Sequence, residues 1–556
     1  MRTIGIVCLL VTSCFLAPAA LAGAPSSAAV ASAHPMATRA GMEILQAGGN
    51  AFDAAVAVSA TLAVVEPYSS GLGGGGFWLL QAGNGGDAVM IDGRETAPGK
   101  AHRRMYQDQN GKVIPDLSVT GALAAGIPGE PAALVHIAKN FGRLPLRTTL
   151  APAIRAARKG FKVTPHYQRM ARFRLEALRA SPAAATVFLK DNQVPPLGYV
   201  VRQPDLAKTL ERLAKGGAAG FYAGALAQKL VSGVQKAGGI WRATDLAGYR
   251  VVRRKPVVGM YHGYRIISAA PPSSGGVALL GMLNMLRNDK LETLPKVQRQ
   301  HLIIEAMRRA YRDRAEFLGD PDFVKVPMAR LLSDAYADKL RRSFDANKAT
   351  PSSALKSVTV KTSGHHTTHF SILDKQGNRV AATLSVNYPF GSGFMPPGTG
   401  VLLNDEMDDF SAKPGTPNVY GLVGADANSI APHKRMLSSM SPTIVEGPDR
   451  VAIIGTPGGS RIITMVLHGI LGVVAGEDAK RIVSKPRFHH QYLPDVVQYE
   501  PGAFDKDELR VLKQEGYHFK LIQGGYGNMQ VVIWNTKNNK VSAASDPRGE
   551  GLAQVH

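Results

Sequence analysis

The chain has 556 residues, two cysteines and a formal net charge of +23. Both cysteines lie near the N-terminus, so a protein cut after them would have no disulfide, no thiol nucleophile and no thiolate metal site. No later stretch has the ~18 consecutive apolar residues of a membrane span, so no transmembrane segment is expected. From Thr367 onward acidic and basic residues are equal in number, and the positive excess lies upstream.

The basic residues of the upstream part are scattered through helical stretches such as Met307 to Arg314. An anionic surface or a nucleic acid is one partner to consider for this positive charge. Aromatic residues are not interleaved with the basic ones, however, and the sequence has no nucleic-acid-binding motif. We therefore expect a solvated basic surface and no nucleic-acid partner.

The first segment, residues 1–22, predicts a secretory signal peptide. Arg2 supplies a basic region, an apolar stretch follows, and Ala20-Leu21-Ala22 is a small-residue cleavage site. The mature chain would begin near Gly23 and be periplasmic or secreted. The alternative is a lipoprotein signal in which Cys14 is the lipidated residue.

Two helices are predicted at the start of the mature chain. The segment from Pro35 to Gln46 has helical periodicity and ends at Gly48-Gly49. Asn50 is a typical N-cap for a second helix, which runs through an Ala/Val-rich stretch to Pro67 and is expected to be buried.

Between that helix and the next strand, Gly71, Gly73 and Gly76 match the dinucleotide-binding fingerprint G-x-G-x-x-G. The fingerprint needs a strand before it and a helix after it. This run instead leads into strand-like residues, so we expect no dinucleotide site here.

Further along, apolar patterns predict several strands and one long amphipathic helix, Val297 to Leu318. Helices outside and strands inside fit a layered α/β sandwich. No repeat or composition break divides the chain, and the strongest discontinuity is the Ser/Lys/Thr-rich stretch from Asn347 to His366, a candidate processing loop. The predicted strands are Gly76 to Leu80, Ala88 to Asp92, Ala452 to Gly455 and Met529 to Trp534.

A β-hairpin is predicted to begin at Thr367. The residues from Thr367 to Leu373 are rich in β-branched and aromatic side chains, the turn sequence D-K-Q-G-N follows, and a second strand runs to Asn387. A turn centred on Gln376 pairs Thr367 with Ser385 and places Asn387 on the same face. An ordinary core hairpin would show the same pattern.

Cleavage between His366 and Thr367 would create an active site at this junction. A threonine hydroxyl alone is a poor nucleophile, but an N-terminal threonine carries its own base, because the α-amino group titrates near pH ~8. The junction between a polar stretch and a buried strand is where a chain that cuts itself would place its new N-terminus.

Three other patterns allow a functional or an ordinary structural role. An acidic cluster is interrupted by Met407 and Phe410, which indicates that alternate acidic members point inward. Two glycines follow a short strand, where their N–H groups can face an oxyanion or form a plain turn. A histidine group has no carboxylate at ligand spacing, so solvent histidines and no metal site are expected. These residues are Asp405, Glu406, Asp408 and Asp409; Gly458 and Gly459; and His365, His366 and His369.

Seven segments together resemble the γ-glutamyltranspeptidase family. Each motif alone is weak, but their occurrence in this order is specific and spans nearly the whole mature chain. Those before Thr367 are H-P-M-A-T-R-A-G-M-E-I-L-Q-A-G-G-N-A-F-D-A-A-V-A-V, S-S-G-L-G-G-G-G-F and D-G-R-E-T-A-P. Those after it are L-L-N-D-E-M-D-D-F-S, P-N-V-Y-G-L-V-G-A-D-A-N, K-R-M-L-S-S-M-S-P-T and G-T-P-G-G-S-R.

The resemblance implies the four-layer αββα sandwich of N-terminal-nucleophile hydrolases, built from a large fragment (23–366) and a small fragment (367–556). It implies Thr367 as nucleophile, Ser385 as the residue that orients it, and an oxyanion hole at Gly458 and Gly459. For the substrate it implies a carboxylate site, an ammonium site and a lid aromatic. These are Arg94 with Ser438 and Ser439; Asn387, Glu406 and Asp409; and Tyr420 within the loop Lys413 to Ala427.

The implied function is γ-glutamyl transfer and hydrolysis with glutathione as the expected substrate, amino acids or peptides as acceptors, and no metal or organic cofactor. A cephalosporin (glutaryl) acylase is the nearer alternative, because it uses the same nucleophile on an acyl group that lacks the α-amine. Glu406 and Asp409, the acidic pair expected to bind that α-amine, are present in this sequence and argue against an acylase. The farther alternative is an unprocessed, non-enzymatic secreted binding protein.

Overall fold

The computed structural model describes residues 23–83, 85–355, 367–416, 418, 421–422 and 424–556. The predicted signal peptide and both cysteines therefore lie outside the described residues, as do His365 and His366. Within the described part of the chain, no helix is long and apolar enough to cross a membrane.

Strands of the described chain form two large sheets and two small ones. In chain order the strands are β1 (Ala29–Ser32), β2 (Gly75–Gln81), β3 (Val89–Gly93), β4 (Phe161–Lys162), β5 (Val200–Val201), β6 (Val252–Arg254), β7 (Val257–Tyr261), β8 (Tyr264–Ser268), β9 (Thr368–Leu373), β10 (Arg379–Ser385), β11 (Thr443–Glu446), β12 (Arg450–Gly455), β13 (Phe488–His489), β14 (Val497–Tyr499), β15 (Phe519–Leu521), β16 (Gln530–Asn535), β17 (Lys540–Ser545) and β18 (Leu552–Val555).

The large sheets are antiparallel throughout. One has seven strands in the order β18-β1-β9-β10-β2-β3-β6, and the other has six in the order β17-β16-β12-β11-β8-β7. The small sheets are β13-β14-β15 and β4-β5. Both large sheets combine strands from before and after Thr367.

Some helices contact the large sheets directly, and others pack on those helices. They are α1 (Pro35–Gln46), α2 (Ala51–Val65), α3 (Glu130–Phe141), α4 (Leu146–Lys159), α5 (Pro165–Phe173), α6 (Leu175–Arg179), α7 (Pro182–Phe188), α8 (Pro204–Gly216), α9 (Ala219–Tyr222), α10 (Gly224–Lys236), α11 (Ala243–Gly248), α12 (Gly275–Leu286), α13 (Lys296–Phe317), α14 (Met328–Leu331), α15 (Asp334–Arg341), α16 (Ile462–Val474), α17 (Ala479–Ser484) and α18 (Lys506–Gln514).

Side chains alternate between the two faces of the seven-stranded sheet, as a strand repeat of two residues requires. Leu79 and Ala381 belong to a cluster that also contains Ile267, Ile453 and Val532 of the six-stranded sheet. Their neighbours point the other way, into a cluster built with helices α1 to α11. A further cluster joins the six-stranded sheet to α12, α13, α16 and α17.

The predicted first two helices are confirmed. Helix α1 has the predicted bounds, and α2 begins after Asn50, whose side chain accepts from the N–H groups of Phe52 and Asp53. Asp53 in turn accepts from the Asn50 N–H, which completes a capping box. All of α2 is buried, as its Ala/Val-rich sequence predicts.

The basic stretch in α13 is not the solvated surface that the sequence predicts. Arg308, Arg309 and Arg314 are all buried, and the helix is covered on most sides through its middle. Glu305 accepts from the guanidinium groups of Arg308 and Arg309, which offsets the cost of burying those two charges. The prediction is therefore wrong for this stretch, because intrahelical ion pairing lets arginine enter the core.

Candidate active site

Strands from before and after Thr367 in the sequence end side by side at one end of the seven-stranded sheet. Thr368 lies opposite Leu384, Ser385 opposite Gly75, and Gly76 opposite Gly93. The loops that leave these strand ends therefore converge on one place.

The predicted hairpin and its register are confirmed. Strands β9 and β10 pair with Leu384 opposite Thr368, so the next pair in this register is Thr367 with Ser385. Thr367 directly precedes β9 and is buried, and Ser385 ends β10 and is also buried. Segment 356–366, including the predicted cleavage site, lies outside the described residues.

Nine of the predicted site residues line one narrow cavity, which we call the inner cavity. It is lined by Arg94, Thr367, Ser385, Asn387, Glu406, Asp409, Leu422, Ser438, Ser439, Met440, Gly459, Ser460 and Ile462. Its volume is about 20 Å³, little more than a water molecule occupies, because its charged side chains contact one another directly.

Arg94, directly after β3, lines the inner cavity and faces three carboxylates. Its Nη1 donates to Glu406 Oε2 at 2.5 Å and lies 3.4 Å from Glu95 Oε2, and its Nη2 donates to Asp409 Oδ2 at 2.6 Å. Burial alone would lower the pKa of Arg94, but the charges of Glu406, Glu95 and Asp409 raise it above its usual value.

Three carboxylates surround the single guanidinium of Arg94, and the pKa values of two of them are raised. Burial and the neighbouring Glu406 charge raise the pKa of Glu95 well above its usual range. Burial also raises the pKa of Glu406 to about 7, against the opposing effect of Arg94. Three carboxylates share one guanidinium here, so an added ammonium group would favour their ionised forms.

The acidic cluster is more deeply buried than the sequence predicts. Asp405, Glu406 and Asp408 are buried, and Asp409 is nearly so, where alternate members were expected to point inward. The short 3-10 helix Glu406–Asp409 turns the chain, and Asn404 Oδ1 holds it by accepting from the Glu406 N–H at 3.0 Å. A 3-10 turn distributes successive side chains around its axis, so strand-like alternation does not apply.

Asn387 connects the β9–β10 hairpin to this acidic turn. It has a left-handed backbone with φ of 74°, and its N–H donates to Ser385 Oγ at 2.8 Å. Its side-chain amide donates to the Asp405 carbonyl oxygen at 3.0 Å. The Ser385 hydroxyl is thereby held by the backbone two residues further on.

Ser438 and Ser439 line the inner cavity. Arg314, which the sequence did not identify as a site residue, contacts Ser439. Arg314 Nη2 donates to Ser439 Oγ at 3.3 Å, and its Nε donates to Ser274 Oγ at 3.0 Å. No carboxylate of the described residues lies within 4.0 Å of this guanidinium. Burial lowers the pKa of Arg314.

A spacing signal could have identified Arg314. It follows Ile303, Met307 and Ala310 at intervals of four, three and four residues, which is the pattern of a single apolar helix face. An arginine on that face is expected to be buried.

The predicted oxyanion glycines follow β12 and precede α16. Gly458 has φ of 143° and Gly459 φ of 55°, conformations that favour glycine. A Cβ at Gly458 would lie 2.5 Å from the Met465 methyl carbon, so the end of the Met465 side chain would have to shift. Among the described residues the Gly459 N–H has no hydrogen-bond acceptor, which leaves it able to bind an oxyanion.

A much larger cleft lies on the other side of Thr367, and we call it the outer cleft. Its volume is about 870 Å³, and Thr367 and Gly458 line it together with charged side chains from several loops. Thr367 lines both spaces, so it stands at the boundary between the inner cavity and the outer cleft.

Tyr420 lies outside the described residues, but its neighbours reach the site. Asn418 Nδ2 donates to Asp409 Oδ1 at 3.1 Å, and Leu422 lines the inner cavity. Described residues on both sides of Tyr420 thus contact the site.

His369 is not a solvent histidine, as was expected. It is fully buried, with Nδ1 2.8 Å from Thr383 Oγ1 and Nε2 3.3 Å from Ser371 Oγ. Burial lowers its pKa to about 3. The residue lies inside a strand, and its ring packs where Gly455 leaves space for it, which the local sequence pattern does not reveal.

Comparisons with known proteins identify the family of this chain. Residues 37–555 match the family profile described as γ-glutamyltranspeptidase. The chain is 40% identical to a glutathione hydrolase proenzyme of Escherichia coli, with 99% of this chain and 97% of that protein covered. It is 42% identical to one of Pseudomonas aeruginosa, with 96% and 97% covered.

Similar solved structures include a cephalosporin acylase and a γ-glutamyltranspeptidase. A cephalosporin acylase of Bacillus halodurans matches with a TM-score of 0.82 at 27% identity and covers 99% of both chains. A γ-glutamyltranspeptidase of Helicobacter pylori matches with a TM-score of 0.57 at 40% identity and covers 60% of this chain and 95% of that one. The profile match over nearly the whole length, together with these relatives, confirms the predicted resemblance, and the chain belongs to the γ-glutamyltranspeptidase family.

Proposed function

We propose that this protein is a γ-glutamyltransferase and glutathione hydrolase. The observation that carries the proposal is the inner cavity, in which a guanidinium, carboxylates and hydroxyls converge beside Thr367. A γ-glutamyl group presents an α-carboxylate and an α-ammonium next to each other. Arg94 with Ser438 and Ser439 suits the carboxylate, and Glu406, Asp409 and Asn387 suit the ammonium.

Substrate binding would exchange ion pairs within the site. Arg94 now pairs directly with Glu406 and Asp409. An incoming amino-acid head group carries both charges, so its carboxylate can take the guanidinium while its ammonium takes the acidic side chains. Each buried charge keeps a partner, and the ammonium also favours the ionised forms of the carboxylates around Arg94.

The precursor step is self-cleavage between His366 and Thr367. The Thr367 hydroxyl attacks the His366 carbonyl carbon, the peptide C–N bond breaks, and the resulting ester is hydrolysed by water. This frees the α-amine of Thr367. The products are the large subunit, 23–366 after removal of signal peptide 1–22, and the small subunit, 367–556.

In the mature enzyme the same hydroxyl attacks the γ-carbonyl carbon of the substrate. The α-amine of Thr367 takes the hydroxyl proton and passes it to the leaving amine, and Ser385 orients the nucleophile. The N–H groups of Gly458 and Gly459 stabilise the oxyanion. Water or an acceptor amine then resolves the γ-glutamyl ester.

We also infer the finer fold and location that this function requires. The two large sheets with helices on their outer faces fit the four-layer αββα sandwich of N-terminal-nucleophile hydrolases, and the family relationship supports it. A predicted secretory signal supports a periplasmic or secreted enzyme that acts on γ-glutamyl compounds outside the cytoplasm.

Fragment analysis tests the proposal. Purified protein should run as two fragments, and the small one should begin at Thr367 on N-terminal sequencing. The Thr367→Ala variant should remain one chain and should not release p-nitroaniline from γ-glutamyl-p-nitroanilide. Wild-type protein that is active as one intact chain would refute this mechanism.

The acylase remains a second candidate because the Bacillus halodurans cephalosporin acylase has so similar a structure. Glutaryl and γ-glutamyl groups differ by the α-amine alone. Glu406 and Asp409 give that amine a partner, and an acylase has no need of one. Wild-type preference for glutaryl-p-nitroanilide over γ-glutamyl-p-nitroanilide would favour the acylase.

A further inference from the structure

The outer cleft contains positive charge that the proposed mechanism does not use. Arg461, Arg169 and Lys520 line it, and none of them has a carboxylate within 4.0 Å among the described residues. A fourth cation, Arg548, is already paired with Glu500 at 2.6 Å.

Arg461 is the most informative of these side chains. It is 8% exposed, and its Nε and Nη2 donate to a single neutral oxygen, Gln498 Oε1, at 2.8 and 2.5 Å. Its Nη1 donates to no described residue. Burial lowers the pKa of Arg461 to about 10. A buried cation with no anionic partner is costly, so this arrangement favours an anionic ligand.

Tyr526 provides a second donor at the same place. The Arg461 guanidinium carbon lies 4.7 Å from the centre of the Tyr526 ring, and both side chains line the outer cleft. The Tyr526 hydroxyl is buried and has no hydrogen-bond partner among the described residues. Burial raises its pKa, so at neutral pH the hydroxyl keeps its proton and can donate it to an acceptor oxygen.

The position of Arg461 relates this pair to the reaction. Arg461 follows Gly458 and Gly459 in the same turn, and its N–H donates to the Gly458 carbonyl oxygen at 3.1 Å. If the γ-glutamyl group fills the inner cavity, whatever is bonded to the γ-carbonyl carbon must extend from Thr367 into the outer cleft.

We propose that the outer cleft binds the acceptor, and the amine that leaves the donor, through a free carboxylate held by Arg461 and Tyr526. The inference rests on the proposed transferase function and adds the chemical class of the second substrate, a peptide or amino acid with an unblocked C-terminus. The neutral acceptor amine attacks the γ-carbonyl carbon of the ester. A C–N bond forms, the C–Oγ bond to Thr367 breaks, and the proton lost by the amine returns to the threonine oxygen.

The test compares two acceptors that differ in the carboxylate. Processed enzyme is given γ-glutamyl-p-nitroanilide with glycylglycine or with glycylglycinamide, and kcat/KM for transfer is measured for each. Wild type should prefer glycylglycine by roughly tenfold to a hundredfold, the range expected for hydrogen bonds to a charged group. Arg461→Gln should bring this ratio near one, and Tyr526→Phe should lower it by a smaller factor.

The ratio is insensitive to general damage, because both acceptors resolve the same ester at the same oxyanion hole. Arg158→Gln is the matched control: Arg158 is an exposed arginine in α4 whose partner is Glu211, and the variant should keep the wild-type ratio. A wild type without preference, or an Arg461→Gln variant with the full preference, would overturn the inference.

Two further outcomes are decisive. If Arg461→Gln does not fold or process, Tyr526→Phe keeps the ring and tests the same site, and an unchanged ratio in that variant counts against the inference. If wild type hydrolyses γ-glutamyl-p-nitroanilide yet treats both acceptors alike, the inference fails and the proposed function stands. If it hydrolyses no γ-glutamyl substrate, both fail.

Discussion

At the scale of single residues, we expect Asp409 to set the choice of acyl group. Its Oδ2 pairs with Arg94 and its Oδ1 accepts from Asn418, so it is held on two sides at the wall of the inner cavity. Glu406 and Glu95 also face Arg94, and the arginine keeps a partner if Asp409 is neutralised. A substrate ammonium bound at Asp409, by contrast, would lose its charged partner.

Asp409→Asn should therefore act on the substrate's ammonium. Losing one member of a buried charge pair typically costs ~2 to 5 kcal/mol, which is roughly thirtyfold to several thousandfold in kcat/KM. We expect that loss for γ-glutamyl-p-nitroanilide, with equal or higher activity on glutaryl-p-nitroanilide. The measurement uses a fully processed variant, and equal loss on both substrates would make Asp409 a structural residue.

We expect Glu66 to make the stability of the protein depend on pH. Thr368 Oγ1 donates to its Oε2 at 2.7 Å, and burial raises its pKa from 4.5 to about 7, with a smaller contribution from Glu550. The folded state then holds the proton more tightly than the unfolded state. This contribution is fully favourable below pH 4.5 and is lost as the pH rises to about 7.

Glu66→Gln should remove this loss of stability with rising pH. The fall in unfolding free energy between pH 5 and pH 8 should be smaller in the variant by an amount on the order of 3 kcal/mol. Urea unfolding at the two pH values measures it, and Asp87→Asn, at an exposed carboxylate, is the control that should behave as wild type. Identical pH dependence in Glu66→Gln and wild type would contradict the assignment.

At the scale of elements, the glycine run before β2 serves close backbone packing. The run follows helix α2 and enters a strand, as expected from the rejected dinucleotide fingerprint. A Cβ at Gly74 would lie 2.2 Å from the Ser385 carbonyl oxygen. A side chain there must displace the backbone that carries Ser385.

Gly74→Ala should lower the unfolding free energy by ~1 to 3 kcal/mol, since the clash is with backbone and not with a flexible side chain. Gly281, in the middle of α12, is the opposite case, because a Cβ there meets nothing within 4 Å. Gly281→Ala should raise stability by ~0.5 to 1 kcal/mol. Denaturant midpoints compare the two, and equal shifts of the same sign would show that contact distance does not decide the effect.

Local patterns predicted the elements well where one interaction dominates. The Asn50 cap, the turn around Gln376 and the β9–β10 register all follow from neighbouring residues, and all are confirmed. His369 was misjudged because its burial depends on a partner far along the chain, Gly455. Arg314 was misjudged although the apolar spacing of its own helix face indicates that it is buried. Arg461 was missed because its contacts, Gln498 in β14 and Tyr526 in a later loop, are distant in the sequence.

At the scale of the whole molecule, the order of strands could not be predicted. Strand β1 pairs with β18 on one side and with β9 on the other, so Ala29 lies opposite both Val555 and Leu373. No periodicity within a segment specifies a partner hundreds of residues away. The layered α/β class follows from alternation of helices and strands, whereas the order within each sheet depends on the complete fold.

The strand order has a consequence for the timing of maturation. Strand β1 lies between two strands from beyond Thr367, and β8 pairs with β11 from beyond it as well. If the chain is cut at Thr367, neither piece retains a complete large sheet, because both large sheets combine strands from the two pieces. Folding must therefore come first, and the cut can only be made in a chain that has already been assembled. The two pieces should co-elute in native buffer and separate only in denaturant, and pieces synthesised separately should not recover activity when mixed.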